Sequence, residues 1–291
     1  MIKVEEGHRL QVVANGGWDD RITMVECGEL VRSYLLKTRN FLLVYDTLLG
    51  PVSGAWLRQR ALELAEERPI LVFNSHADWD HYFGNQAFVE PILGSRECRR
   101  RVLEVAGEGE LARKRQDCLD SYGPVQLVAP TVVFDGEPTL DGGDLTIQAL
   151  FTPGHRPDHL ALWVPEIRTL FPGDCLERPI PLVDEESTPT SGTLEQLIAS
   201  LTRLRGLEPE WVLANHAPPC HGCGLLDDNL GYLTGVLQAA RGSASLDQLS
   251  QSCPAPEGCE GYYLDEHRRT LEVAFSQTRD TPGIGAVDTR C

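Results

Sequence analysis

Short apolar runs alternate with polar and glycine-containing turns in the first part of the chain, and this pattern predicts strands. Four strand-like stretches come first, at residues 10–14, 22–25, 31–36 and 41–45. Leu57, Ala61 and Leu64 then recur at the spacing of one helical face. They predict a helix over residues 53–67, which Ser53 can cap.

The rest of the chain continues with strands and ends in helices. Strand-like stretches follow at residues 70–73, 131–134, 145–151, 159–164, 169–171 and 211–214. Helical periodicity covers residues 191–205, 225–240, 246 onward and 262–276. Strands mixed with helices in this order indicate an α/β fold.

Four side chains that can bind a metal ion lie after the apolar run Ile70–Phe73, in a segment of six residues. They are His76, Asp78, Asp80 and His81. Buried carboxylates and imidazoles without partners are costly, so this cluster needs a compensating charge. A divalent cation supplies it, because imidazole and carboxylate groups are common ligands of zinc, manganese and iron. The segment therefore predicts a metal site.

Three later positions complete this pattern. His155, Asp174 and His216 each follow a strand-like stretch, in the sequences Thr-Pro-Gly-His, Phe-Pro-Gly-Asp and Asn-His. Loops at strand ends build functional sites, so we expect these residues near the first cluster. Each signal is weak alone, since Gly-Asp is usually a turn, but the ordered combination is specific.

In this order the motifs resemble those of the metallo-β-lactamase superfamily, whose members are binuclear metallohydrolases. The resemblance includes Asp46, which ends the strand-like run 41–45 in the manner of a structural Asp in that family. It implies a four-layer αββα sandwich over residues 1–224. Residues 225–291 would form a helical C-terminal extension packed on the sandwich.

The resemblance also implies two divalent metal ions, either Zn or Mn or Fe. The ligands fall into two sets with a bridging carboxylate: His76, Asp78 and His155; Asp80, His81 and His216; and Asp174 between them. A hydroxide shared by the two ions would attack the substrate, and Asp80 would also orient this nucleophile. We expect hydrolysis of a small ester-, thioester- or lactone-like substrate. A member that keeps the fold only for binding is disfavoured by the intact ligand set.

Asp78 departs from the commonest form of the family motif, which has His there. A carboxylate adds negative charge and favours Mn or Fe over Zn. Carboxylates at this position also occur in the flavodiiron relatives, so a di-iron redox enzyme acting on oxygen, nitric oxide or sulfur is the alternative. Those relatives carry a flavodoxin domain, and the stretch that follows His216 is too short for one.

Composition supports a small-molecule enzyme. The 291 residues include 42% hydrophobic residues, enough for a core, and the net charge of −17 argues against nucleic-acid partners. No apolar run is long enough to span a membrane, and the N-terminus lacks the features of a signal peptide. We therefore expect a cytoplasmic protein with no membrane partner.

Residues 95–121 are rich in arginine and read as two amphipathic helices divided near Gly107 and Gly109. They form either a solvated flank or a cap over the site. In a cap, Arg99, Arg100 and Arg101 would attract an anionic substrate. His159 is a further candidate, for substrate binding and proton donation, for supporting a metal ligand, or for a position on the surface.

Nine cysteines without a signal peptide indicate free thiols in a reducing compartment. Cys220, Cys223, Cys253 and Cys259 form two close pairs, so a structural zinc site or disulfides are the alternative.

Overall fold

The structure, a computed structural model, describes residues 9–104, 112, 124–183 and 193–280. Its strands form two sheets, and the first has seven strands in chain order. They are β1 (Leu10–Val13), β2 (Ile22–Cys27), β3 (Val31–Lys37), β4 (Leu42–Tyr45), β5 (Ile70–Phe73), β6 (Ile92–Ser95) and β7 (Val132–Phe134). Strands β1 to β4 pair antiparallel, whereas β4 to β7 pair parallel.

The second sheet has six strands in the order β13-β12-β11-β10-β9-β8. They are β8 (Thr139–Asp141), β9 (Thr146–Phe151), β10 (Leu160–Val164), β11 (Thr169–Phe171), β12 (Trp211–Val212) and β13 (Cys220–His221). All neighbours pair antiparallel except β11 and β12, which are parallel.

The described helices are α1 (Pro51–Ala65), α2 (Trp79–Tyr82), α3 (Arg96–Leu103), α4 (Thr193–Arg205), α5 (Gly224–Gly242), α6 (Leu246–Ser252) and α7 (Tyr262–Asp280). A 3₁₀ helix, Phe83–Ala87, directly follows α2. No helix in the described ranges is long and apolar enough to cross a membrane.

Alternation of side chains along the strands explains the layers. Leu43 on β4 joins the core between the sheets together with Leu162 of β10. Its neighbour Val44 faces the other way and packs in a cluster with Leu57 of α1. The first sheet is therefore buried on both faces.

The helices of the C-terminal part cover the outer face of the second sheet. Leu170 of β11 lies in one apolar cluster with residues of α4, α5 and α7, namely Leu201, Leu233 and Leu271. The order of layers is helix, sheet, sheet, helix. The predicted αββα sandwich with a helical C-terminal part is confirmed.

Most predicted elements are present with small shifts at their ends, but the cap of α1 was predicted wrongly. The helix begins at Pro51 with Gly50 as its N-cap, and Ser53 accepts a hydrogen bond from the Gly50 N–H at 3.1 Å. Strands β6, β8 and β13 and helix α2 were not predicted. They span two to four residues each, too short for a periodic pattern to show.

The arginine-rich segment begins as predicted with a helix. Ser95 caps α3 by accepting a hydrogen bond from the Cys98 N–H at 2.9 Å. The second predicted helix, between Gly109 and residue 121, lies outside the described part of the chain except for residue 112.

Candidate metal centre

The seven predicted metal ligands converge where strands of the two sheets end. Strand β5 leads through Asn74 and Ser75 to the first four ligands, which lie on α2 and the turn before it. Strands β9, β11 and β12 lead to the other three. The ligands are His76, Asp78, Asp80, His81, His155, Asp174 and His216, and all are buried except His216, which is half-buried.

The first group of converging ligand atoms belongs to Asp80, His81, Asp174 and His216. Asp174 Oδ2 lies 2.9 Å from His81 Nε2 and 3.2 Å from His216 Nε2. Asp80 Oδ2 lies 3.2 Å from the same His216 nitrogen. Four ligand atoms therefore surround one position.

The second group consists of His76, His155 and the same Asp174. Asp174 Oδ2 lies 3.6 Å from His76 Nε2 and 3.8 Å from His155 Nε2. Asp78 Oδ2 lies beside this group, 3.5 Å from His76 Nε2 and 3.3 Å from His155 Nε2. Asp174 is common to both groups, as the resemblance implied for a bridging ligand.

The Nδ1 atom of each of the four histidines is held by a neighbouring oxygen, so that its Nε2 atom faces the centre. His81 Nδ1 bonds Asp46 at 2.8 Å and His216 Nδ1 bonds the Leu30 carbonyl at 2.7 Å. His76 Nδ1 lies 2.8 Å from Ser75 Oγ, and His155 Nδ1 lies 3.3 Å from the Leu182 carbonyl. Such partners orient metal-binding imidazoles and select their tautomer.

Asp46 supports several parts of the centre at once. Its carboxylate accepts hydrogen bonds from the Ser75 N–H at 2.8 Å, the Ser75 hydroxyl at 2.7 Å and the Asn215 amide at 3.3 Å, in addition to His81. Its backbone has a φ of 65°, which is unusual for a residue other than glycine. The network around the buried carboxylate maintains this strained conformation.

The ligand atoms fit divalent cations. His76 Nε2, His155 Nε2 and Asp174 Oδ1 are buried and have no hydrogen-bond partner, which is costly unless an ion fills the site. A tetrahedral ion with bonds of about 2.0–2.1 Å separates its ligands by about 3.3 Å. The separations of 2.9 to 3.8 Å around Asp174 Oδ2 lie around this value.

The charges of the ligands are strongly coupled. Burial opposes ionisation of Asp174, but the neighbouring His216 and His81 charges hold the pKa of its carboxyl well below the usual range. Burial also opposes protonation of His81, yet the charges of Asp174 and Asp80 raise its pKa well above the usual value. Asp174, His81 and His216 therefore stabilise one another's charged forms.

His159 supports a metal ligand and is not accessible to a substrate. Its Nε2 accepts a hydrogen bond from the Asp174 N–H at 3.1 Å, and its Nδ1 lies 2.8 Å from Thr152 Oγ1. Burial and the nearby His76 charge lower its pKa well below the usual value, so the ring is neutral. Of the roles considered for His159, the structure favours positioning of Asp174.

The three consecutive arginines of α3 do not share one surface. Arg99 donates a hydrogen bond to the Pro130 carbonyl at 2.6 Å, and exposed Arg100 pairs with Glu97 and Glu104. Arg101 is buried and forms an ion pair with Asp158. This separation does not match the expectation that all three meet an anionic substrate.

Arg156 was not predicted as part of the centre. Its Nε lies 2.8 Å from both carboxylate oxygens of Asp78. Burial opposes ionisation of Asp78, but the charges of Arg156 and His76 hold its pKa well below the usual range. A signal was present in the sequence, since Arg156 directly follows the ligand His155 and a buried extra carboxylate requires a cation.

Glu177 connects the centre with the C-terminal helices and was also missed. It is buried, its backbone pairs with His216, and its Oε2 accepts a hydrogen bond from Tyr263 of α7 at 2.9 Å. Burial raises the pKa of the carboxyl to about 7 against the effect of the His216 charge. No local pattern links Glu177 to Tyr263, because the two are 86 residues apart.

The cysteines considered for a structural zinc site do not converge in the described part of the chain. All seven cysteines in the described ranges are free, and none belongs to a group of three or more converging metal ligands there. Cys220, Cys223, Cys253 and Cys259 are among these seven.

Comparisons with known proteins agree with this geometry. The family model of the metallo-beta-lactamase superfamily matches residues 28–216. A metallo-beta-lactamase family protein of Thermus thermophilus has a similar structure, with a TM-score of 0.57, 20% identity, and coverage of 95% of this chain and 92% of that chain. The stereoselective inverting sec-alkylsulfatase Pisa1 from Pseudomonas sp. has a TM-score of 0.62 and 12% identity over 90% of this chain and 49% of its own. The chain belongs to the metallo-β-lactamase superfamily.

Two curated relatives match shorter regions. A beta-lactamase-like protein 2 homolog of Caenorhabditis elegans is 34% identical over 87 residues, which are 30% of this chain and 26% of the relative. A hydroxyacylglutathione hydrolase of Francisella philomiragia is 26% identical over 145 residues, which are 49% of this chain and 46% of the relative. The chain thus spans less than half the length of these relatives.

Proposed function

We propose that the protein is a hydrolase that binds two divalent metal ions and cleaves a small ester-, thioester- or lactone-like substrate. The observation that carries this proposal is the pair of ligand groups joined by Asp174, with buried ligand atoms that lack hydrogen-bond partners. Metal ions bound there would lower the pKa of a water molecule and polarise the group under attack.

The residues of the centre would divide the work. Asp174 would contact both ions. The histidine nitrogens that face the centre would bind the ions, two nitrogens to each ion. Asp80 Oδ2 lies near His216 Nε2, and the second carboxylate oxygen of Asp80 would orient the attacking water. Burial of these groups excludes bulk water and strengthens their electrostatic effect.

The test is turnover by the metal-free protein after addition of Zn²⁺, Mn²⁺ or Fe²⁺. The panel contains an ester, a lactone, a phosphodiester, hydroxyacylglutathione and a secondary alkyl sulfate, the last two chosen from the names of a relative and a structural neighbour. We expect metal-dependent hydrolysis of an ester, thioester or lactone, and its loss in His216→Ala. The matched control is His221→Ala, which changes an exposed histidine on β13 and should keep full activity.

Other outcomes decide between the alternatives. Oxygen consumption by the iron form without hydrolysis of any panel compound would favour the di-iron redox enzyme. Failure to bind any of the three metals would contradict both functions.

A further inference from the structure

Asp78 contacts both the second group of metal ligands and two arginines. Both of its oxygens accept hydrogen bonds from Arg156 Nε at 2.8 Å, and Arg101 Nη2 lies 3.7 Å from its Oδ1. Its Oδ2 also lies 3.3 Å from His155 Nε2. One carboxylate thus faces both a predicted metal position and a permanent cation.

The two arginines are held differently. Arg101 forms its closest ion pair with Asp158, and the other oxygen of Asp158 accepts a hydrogen bond from the Ala77 N–H at 2.8 Å. Arg156 forms an ion pair with Asp78, a residue that is expected to bind metal. Arg156 therefore competes with a metal ion for the lone pairs of that carboxylate.

The other half of the centre contains no such competitor among its described ion pairs. Asp80 lies near His81 and His216, which are themselves expected ligands. Arg156 is not an expected ligand, and its guanidinium stays charged at every accessible pH.

We propose that Arg156 makes the two metal positions unequal, so that the position at Asp80, His81 and His216 fills first and the position at His76, Asp78 and His155 fills later and more weakly. This inference rests on the proposed two-metal function. Arg156 engages both Asp78 oxygens, and its positive charge lies beside the carboxylate that would hold the second ion. Both effects reduce the affinity of the second position.

The experiment is a calorimetric titration of metal-free protein with Zn²⁺, and separately with Mn²⁺. Metal analysis after dialysis then gives the number of ions that remain bound. It compares the wild type with Arg156→Gln, which removes the charge, and with Arg156→Lys, which keeps the charge but removes the guanidinium that bonds both oxygens. In Arg156→Gln we expect the second ion to bind about tenfold tighter or more, on the scale at which the partners of metal ligands act. Arg156→Lys should give a smaller gain, and the first ion should bind equally well in all forms.

Arg100→Gln is the matched control, because it removes an exposed arginine whose described ion pairs are with Glu97 and Glu104. It should leave both affinities unchanged. An unchanged or weakened second affinity in Arg156→Gln would overturn the inference, and weakening would show that Arg156 orients Asp78 for metal binding.

If circular dichroism shows that Arg156→Gln does not fold, Arg156→Lys is the deciding variant. The inference is overturned if Arg156→Lys does not bind the second ion more tightly than the wild type. If the wild type binds two ions and hydrolyses a substrate, but both metal affinities are the same in the residue-156 variants, this inference is refuted and the proposed function stands. A wild type that binds no metal would remove the proposed function as well.

Discussion

The two halves of the metal centre contain similar ligands, but their surroundings carry different charges. In one half, Asp46 and the Leu30 carbonyl hold His81 and His216 with their Nε2 atoms directed inward. In the other half, Arg156 donates hydrogen bonds to both oxygens of the Asp78 carboxylate. The comparison teaches that a ligand motif does not by itself set metal affinity, because the groups bonded to each ligand decide how freely it can bind.

The largest effect is expected from Asp174→Ala, which removes the group that both halves share. Its Oδ2 lies 2.9 Å from His81 Nε2 and 3.6 Å from His76 Nε2, so the variant loses a ligand on each side. We expect at most one ion to remain after dialysis, as measured by elemental analysis. Asp135→Ala, which removes an exposed aspartate, is the control. Retention of two ions by Asp174→Ala would show that the halves are independent.

A smaller effect is expected from Asp78→His, alone and combined with Arg156→Gln. The single change removes the described ion pair between Arg156 and Asp78 and places an imidazole beside Arg156, and breaking a buried ion pair costs about 3–5 kcal/mol. Because Asp78 and Arg156 are slightly exposed, we expect a loss below that range. The double variant should recover stability and prefer Zn²⁺ over Mn²⁺ more than the wild type does.

Thermal unfolding and competition between the two metals measure these changes. If Asp78→His alone is as stable as the wild type and binds two Zn²⁺ ions tightly, Arg156 does not depend on Asp78 for its charge balance.

The smallest effect is a difference in proton release between the halves. Burial opposes protonation of His216 and His81, but the neighbouring Asp174 charge helps to raise both pKa values well above the usual value. These rings therefore carry protons at neutral pH in the metal-free protein. A metal ion must displace them, so affinity for the first ion should rise with pH.

Calorimetry in buffers with different ionisation enthalpies measures the protons released by each ion. We expect more protons from the half with His81 and His216, where two rings have a raised pKa, than from the other half. There burial opposes protonation of His155, but the Asp78 carboxylate raises its pKa. Equal release by the two ions would contradict this difference. The raised histidine pKa values also stabilise the metal-free fold, fully below pH about 6.5 and progressively less as pH rises through the folded-state values.

The amino-acid sequence by itself predicted most of the longer elements and the candidate metal ligands, because both are read from local order along the chain. The apolar run Ile70–Phe73 predicted β5 with its observed bounds, and the residues after it predicted four ligands. The cap of α1 was predicted wrongly because the helix begins at Pro51, before the predicted start at Ser53, so that Gly50 is the N-cap.

Only the tertiary structure decided how the ligands are charged and held. Arg156 and Asp78 are 78 residues apart, and Arg101 and Asp158 are 57 residues apart. No periodic pattern encodes such pairs, since they exist only once the two sheets bring distant strand ends together. The sequence therefore specified which atoms can bind metal, because short-range order places them at strand ends. Long-range packing decided which of these atoms also pair with an arginine, because a buried charge is stable only beside a partner of opposite charge.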